Sequence, residues 1–247
     1  MIPWLEPGEP FPPVEAALVK PNGLLAASRE LTPAQLVDAY RRGIFPWYSQ
    51  DEPVLWWSPD PRMVMFPHEF DPARSLRKRL RAIARQAPDG GAEQITVTLD
   101  RAFERVMRRC AEPRPGQDGT WITEEMVRAY VALHRAGLAH SVEVWHADLL
   151  AGGLYGVAIG RAFYGESMFT RQRDASKVAF AALIALLLRE QVRVIDCQQR
   201  TAHLASLGAR EIPRREFSAL LAEAVRQPSI AWSAYVGSNL NHLLAGF

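Results

Sequence analysis

The stretch from Ala139 to Gln198 limits the fold more than any other part of the chain. Ala139 to Trp145, Leu149 to Ile159 and Ala162 to Phe169 read as three consecutive strands, the last two joined by a tight turn at Gly160-Arg161. Ala175 to Glu190 follows, apolar nearly all round and therefore a buried helix. It delivers the chain to Val192-Arg193-Val194-Ile195-Asp196-Cys197-Gln198, a short strand rich in β-branched residues and ended by polar ones. An antiparallel meander that feeds a helical crossover and one more strand gives an α/β or α+β domain with a mixed sheet.

The rest of the chain adds helices to that frame. Thr32-Pro33-Ala34-Gln35 opens a helix with a capping threonine and a proline suited to the first helical position, and Gly43 closes it. Residues 1–31 are proline-rich and are expected to be loop. Three of the seven tryptophans, Trp47, Trp56 and Trp57, stand among prolines that argue against a regular element. They form either a small aromatic core or an aromatic wall for a base or apolar side chain. Gln94 to Leu99 alternates as a strand, Asp100 is expected to cap a helix running to Cys110, and residues 113–119 form a loop. Thr123 with Glu124 and Glu125 opens a helix that Gly137 ends, Arg214 to Val225 is a last amphipathic helix, and the tail carries no signal.

Net charge is only +2 over 247 residues, so any case for a polyanionic partner rests on local clustering. One cluster stands out. The helix opened by Asp71-Pro72 buries Leu76, Leu80 and Ile83, and its other faces carry Arg74, Arg77, Lys78, Arg79, Arg81 and Arg85 with no acid from 73 to 88. A solvated charged face normally mixes signs, so this one favours phosphate binding. The two cysteines, Cys110 and Cys197, lie far apart and form no CxxC pair, which points to a reducing compartment. The N-terminus lacks the form of a secretion signal, and the longest apolar run, Val178 to Leu188, is too short to span a bilayer. A cytoplasmic protein without membrane partners is expected.

No GxxxxGK[ST], GxGxxG or GxSxG motif occurs, and the six histidines show no metal-ligand spacing, so no cofactor and no metal are expected. The polar residues set in apolar strands are Glu166, Asp196 and Gln198. By strand alternation Asp196 and Gln198 share one side, and Glu166 shares a side with Met168. Asp196 and Gln198 serve either as a cap for the helix from Thr201 or as reactive groups at a sheet end. Glu166 is either an ion pair with Arg171 or Lys177, or a site for a cation.

Six motifs then combine: Gly43-Ile44-Phe45-Pro46-Trp47, Trp56-Trp57-Ser58-Pro59-Asp60-Pro61-Arg62, Gly119-Thr120-Trp121-Ile122, Gly165-Glu166-Ser167-Met168-Phe169, Asp196-Cys197-Gln198 and Glu211-Ile212-Pro213-Arg214-Arg215. In this order they resemble the bacterial leucyl/phenylalanyl-tRNA–protein transferases. The resemblance implies an α+β fold, with a small N-terminal domain over residues 1–63 and a GNAT-like (acetyltransferase-like) domain over 64–247. It implies transfer of Leu, Phe or Met from aminoacyl-tRNA to proteins with N-terminal Arg or Lys, which marks them for degradation, by a monomer. The matching positions make Asp196, Gln198 and Glu166 catalytic, with Glu166 on the acceptor side. They make Met168, Ile195, Leu154 and Leu183 the pocket for the transferred side chain, and Trp47 and Trp121 the wall near the terminal adenosine. Arg74, Arg77, Lys78, Arg79 and Arg81 would meet the tRNA. An aminoacyl ester is already activated, which agrees with the missing ATP motif.

Two other readings compete. An acyl-CoA-dependent N-acetyltransferase wants a glycine-bearing loop before the crossover helix, and Arg171-Gln172-Arg173-Asp174-Ala175-Ser176 has none. A non-catalytic tRNA-binding module would leave the polar residues at the strand end without a purpose.

Overall fold

The computed structural model describes residues 2–86, 94–113 and 120–247. Its first elements are β1 (Trp4–Leu5), β2 (Leu24–Ser28), α1 (Pro33–Arg41), β3 (Phe45–Pro46) and β4 (Val54–Trp57), whose strands form a sheet in the order β1-β2-β4-β3. This differs from the loop expected for residues 1–31 and from the irregular structure expected around the tryptophans. The proline in Phe45-Pro46 does no harm because β3 is an edge strand, where a missing N–H costs no ladder bond. Thr32 caps α1 as expected, its hydroxyl oxygen accepting the Gln35 N–H at 3.2 Å.

The chain continues with β5 (Arg62–Met65), α2 (Arg74–Ala84), β6 (Ile95–Leu99), α3 (Phe103–Cys110), α4 (Glu124–Arg135), β7 (Ala139–His146), β8 (Leu149–Ile159), β9 (Ala162–Thr170) and α5 (Ala175–Arg189). It ends with β10 (Ile195–Asp196), α6 (Ala202–Ser206), β11 (Arg210–Ile212) and α7 (Arg214–Ala224). The large sheet runs β11-β5-β10-β9-β8-β7-β6. Its meander from β6 to β9 is antiparallel, and α5 returns the chain so that β10 lies parallel to β9. The fold is α+β, with a small N-terminal sheet and a larger mixed sheet. Strand β5 already belongs to the large sheet, so the two sheets join between Trp57 and Arg62, just before the boundary expected at 63/64.

One core fills the space among the small sheet, α1, α3, α4 and α7, and includes Tyr40, Trp56, Tyr130 and Phe217. The other lies under α2 and α5 and contains Leu76, Leu80 and Ile83 of the first with Phe180, Leu183 and Leu187 of the second. The C-terminal tail, which offered no signal, joins this second core through Trp232, Leu240 and Leu244. Asn241 satisfies the free edge of β6 there: it accepts the Val97 N–H at 2.9 Å and donates to the Ile95 carbonyl at 2.7 Å.

Two further expectations change. Asp100 does not cap α3, which has no side-chain cap; the N–H groups of Arg101 and Ala102, just before it, turn to the buried Glu143 of β7. Asp100 has a left-handed backbone and binds His140 Nδ1 at 2.7 Å. The strand read over 192–197 pairs only at Ile195 and Asp196, because the Val192 N–H still closes the end of α5 on the Leu187 carbonyl.

Candidate active site

The site exists because β9 and β10 part company. Ile195 pairs with Phe163 and Asp196 with Tyr164, and no ladder follows. The Cys197 N–H turns to the Met63 carbonyl, and Gln198 adopts a left-handed backbone with φ +63°. β9 runs on to Thr170 against β8. The divergence leaves a cleft of about 450 Å³, bounded by Gly165–Met168 on one side and residues 197–199 on the other.

The four residues expected around the transferred side chain, Leu154, Met168, Leu183 and Ile195, line this cleft, and so do Trp47 and Trp121, expected near the terminal adenosine. Phe45, Tyr155, Phe163 and Phe180 extend the apolar wall, and none of these four was foreseen. Trp47 is 42% exposed at the rim, its ring edge-on to Trp57 with centroids 5.6 Å apart. Trp56, by contrast, is wholly buried and belongs to the core. Gly119, two residues before Trp121, lies outside the described residues, as do residues 114–118 of the loop expected over 113–119.

The polar side of the cleft is formed by Glu166 and Gln198. Between β8 and β9 the register shifts, so Tyr155 faces Ser167 while Gly156 faces Gly165. Glu166 is the extra residue of that bulge, and a bulge re-aims its side chain. This breaks the alternation expected for Glu166 and Met168: Glu166 reaches the first core, while Met168 packs on the second. Its Oε1 accepts Tyr40 Oη and Gln198 Nε2, each at 2.7 Å, and its Oε2 accepts Tyr130 Oη at 3.0 Å. Burial pushes the Glu166 carboxyl up to about 7 against the lowering effect of those donors. Burial, then the Glu166 charge, pushes both tyrosines upward, so they remain neutral donors. The ion pair considered for Glu166 does not form, since Arg171 binds Glu112 and Lys177 binds Asp174.

Asp196 and Gln198 do not point the same way. The left-handed turn sends Gln198 into the cleft, while Asp196 is 2% exposed and absent from its lining. Asp196 accepts a bidentate pair from Arg62, Nε to Oδ1 at 2.8 Å and Nη2 to Oδ2 at 2.6 Å. Its Oδ1 also accepts the Gln198 N–H at 2.9 Å. Neither residue caps the helix that follows; Thr201 does, through the Leu204 N–H.

The basic helix α2 lies apart from the cleft lining. Arg77 bonds Asp71, and Arg81 bonds the carbonyl of Phe247. Among the described residues Arg74, Lys78 and Arg79 have no ion pair. Among the described residues no group of His, Cys, Asp and Glu stands close enough to hold a metal ion.

Two family models match the chain: leucyl/phenylalanyl-tRNA protein transferase over residues 64–222, and the N-terminal domain of that protein over 29–60. Leucyl/phenylalanyl-tRNA–protein transferase of Bordetella bronchiseptica is 57% identical over 94% of this chain and 91% of its own. Those of Bordetella petrii (56%, 94% and 92%) and Paraburkholderia phytofirmans (55%, 94% of each) are similar. Among solved structures, a GCN5-related N-acetyltransferase from Sphaerobacter thermophilus gives a TM-score of 0.36 at 13% identity, over 78% of this chain and 58% of that one, a likeness too loose to carry weight.

Proposed function

The chain belongs to the leucyl/phenylalanyl-tRNA–protein transferase family and is an aminoacyltransferase acting from tRNA to protein; we propose that it delivers Leu, Phe and Met to the α-amine of proteins beginning with Arg or Lys. The observation that carries this reading is the pairing, in one cleft, of a deep apolar wall with the Gln198–Glu166 edge. The donor side chain enters among Leu154, Met168, Leu183 and Ile195, and the terminal adenosine stacks toward Trp47 and Trp121. Arg74, Lys78 and Arg79, with Arg77 and Arg81 behind them, hold the tRNA by its phosphates.

The chemistry asks little of the protein beyond positioning. The acceptor amine attacks the ester carbonyl, a C–N bond forms, the ester C–O bond breaks, and the ribose oxygen leaves with a proton. Gln198 spends its Nε2 on Glu166, so its carbonyl oxygen accepts an N–H of the incoming amine. Glu166, balanced near neutrality, takes the surplus proton and passes it toward the leaving oxygen. Asp196 acts through Gln198. The positive side chain of an N-terminal Arg or Lys is favoured by the Glu166 carboxylate. The product carries an apolar N-terminal residue that marks it for degradation, and the enzyme works as a cytoplasmic monomer.

Incubation with Leu-, Phe- and Met-tRNA and an Arg-starting peptide tests this. Extension of that peptide, with none for an Asp-starting one, is expected. Equal extension of both would remove the acceptor assignment, and no extension from any donor would remove the donor assignment.

A further inference from the structure

We propose that Arg62 is a positioning residue for aminoacyl transfer: clamped between two aromatic rings and forked onto Asp196, it fixes Gln198 in the cleft. The inference rests on the transfer reading above. Arg62 is wholly buried, with its guanidinium carbon 4.8 Å from the ring centroids of both Phe45 and Phe217. Phe45 comes from the small sheet and lines the cleft, Phe217 comes from α7, and Arg62 itself opens β5. One side chain thus joins the aromatic wall, the large sheet and the last helix.

Stability does not explain this arrangement. A buried ion pair loses much of its attraction to desolvation, and well-packed apolar residues of similar volume commonly do as well or better. Arg62 even leaves Nη1, the guanidinium nitrogen outside the fork, without a partner among the described residues, so that nitrogen is desolvated for no bond. What the pair does supply is direction. Two parallel N–H bonds set the plane of the Asp196 carboxylate, and Oδ1 in that plane holds the N–H of Gln198. That bond stands at the turn where Gln198 has φ +63°, a conformation costly for a residue with a side chain. The turn in turn aims Nε2 at Glu166. The path Arg62, Asp196, Gln198, Glu166 is continuous, and only its last two members face the substrate.

The test separates position from stability. Single-turnover transfer of Phe to an Arg-starting peptide is measured per folded molecule, beside Phe-tRNA affinity and a melting curve. Arg62→Lys keeps the charge but cannot fork, and should lose roughly ten- to a hundredfold in rate with tRNA affinity unchanged. Phe217→Leu, which loosens the clamp without touching a charge, should show a smaller loss of the same kind. The double variant Arg62→Met with Asp196→Leu should melt near the wild type and still be slow. A folded Arg62→Lys protein, or a stable double variant, with the wild-type rate would overturn the proposal. A wild-type protein that transfers nothing would instead overturn the transfer reading on which it rests.

Discussion

Gln198 donates its side-chain amide to Glu166 across 2.7 Å, joining the end of β10 to a bulge in β9 at the point where those strands separate. Tyr40 and Tyr130 complete the set of donors on the carboxylate, one on each oxygen. Burial and the nearby Asp196 charge favour the neutral acid, while the three donors favour the anion. The balance near 7 makes the site sensitive to any cation that enters the cleft.

The first prediction follows from that balance. Transfer by the wild type should rise with pH through about 7 as Glu166 loses its proton, and again as the acceptor amine does near 8. Glu166→Gln should keep only the second rise and lose about 10²–10⁴-fold in turnover. A pH–rate profile under single-turnover conditions checks both. A variant that keeps the lower rise would mean that another group titrates there.

The second concerns α2. Arg74, Lys78 and Arg79 have no ion pair among the described residues, whereas Arg77 and Arg81 are held by Asp71 and Phe247. The triple change Arg74→Ala, Lys78→Ala and Arg79→Ala should raise KM for aminoacyl-tRNA with kcat little changed. Each lost phosphate contact should flatten the salt slope of binding by roughly 0.7–0.9. Unchanged salt dependence would move the tRNA surface elsewhere.

What the sequence disclosed was local. The meander bounds agree with the structure to within a residue, because apolar alternation and the Gly160-Arg161 turn are short-range signals. The same logic failed at Phe45-Pro46, since proline forbids a central strand but not an edge, and edge position is a property of the assembled sheet. Of the lining residues only Met168 stands in a motif, Leu154, Leu183 and Ile195 follow from the family resemblance, and their convergence depends on strand divergence that no motif encodes. Alternation misdirected Glu166 and Gln198, because a bulge is defined only against its partner strand and a left-handed turn hides in a non-glycine residue. Arg62 stood in a quoted motif, yet its partner lies 134 residues away. Tyr40 stands four residues after Leu36, which puts both on the buried face of α1, but nothing local links that face to the site.

The third prediction addresses donor choice. Leu183 comes from α5 and faces Leu154 and Ile195 in the cleft wall. One methylene in such a pocket is worth about 1–3 kcal/mol, so Leu, Phe and Met should compete as donors while Val and Ile, branched beside the ester, are poor. Leu183→Phe should narrow the pocket and cut Phe transfer relative to Leu by about tenfold, with overpacking as the cause. Competition among the five charged tRNAs measures it. Efficient Ile transfer would remove these residues from the donor pocket.

The last prediction separates the site from its support. Glu143 on β7 is fully buried, and its carboxylate accepts Thr98 Oγ1 at 2.6 Å, the Ser141 hydroxyl, and the N–H groups of Arg101 and Ala102 at 3.3 Å each. Burial outweighs these donors and pushes its carboxyl up to about 7. Between the ordinary value of 4.5 and 7 the folded chain holds a proton that the unfolded chain releases. Stability from this group is therefore complete below about 4.5 and lost as pH rises through 7, a change of about 3 kcal/mol at most. Glu166 acts in the same direction, so the melting midpoint of the wild type should fall between pH 5.5 and 8.5. Glu143→Gln removes the titration while leaving one acceptor for the N–H groups that precede α3. It should melt lower than the wild type at pH 5.5 and show a shallower decline, with the rate per folded molecule retained because Glu143 does not line the cleft. Melting curves across that range, beside the transfer assay, decide the point: an unchanged slope would mean that Glu143 stays ionised in the fold.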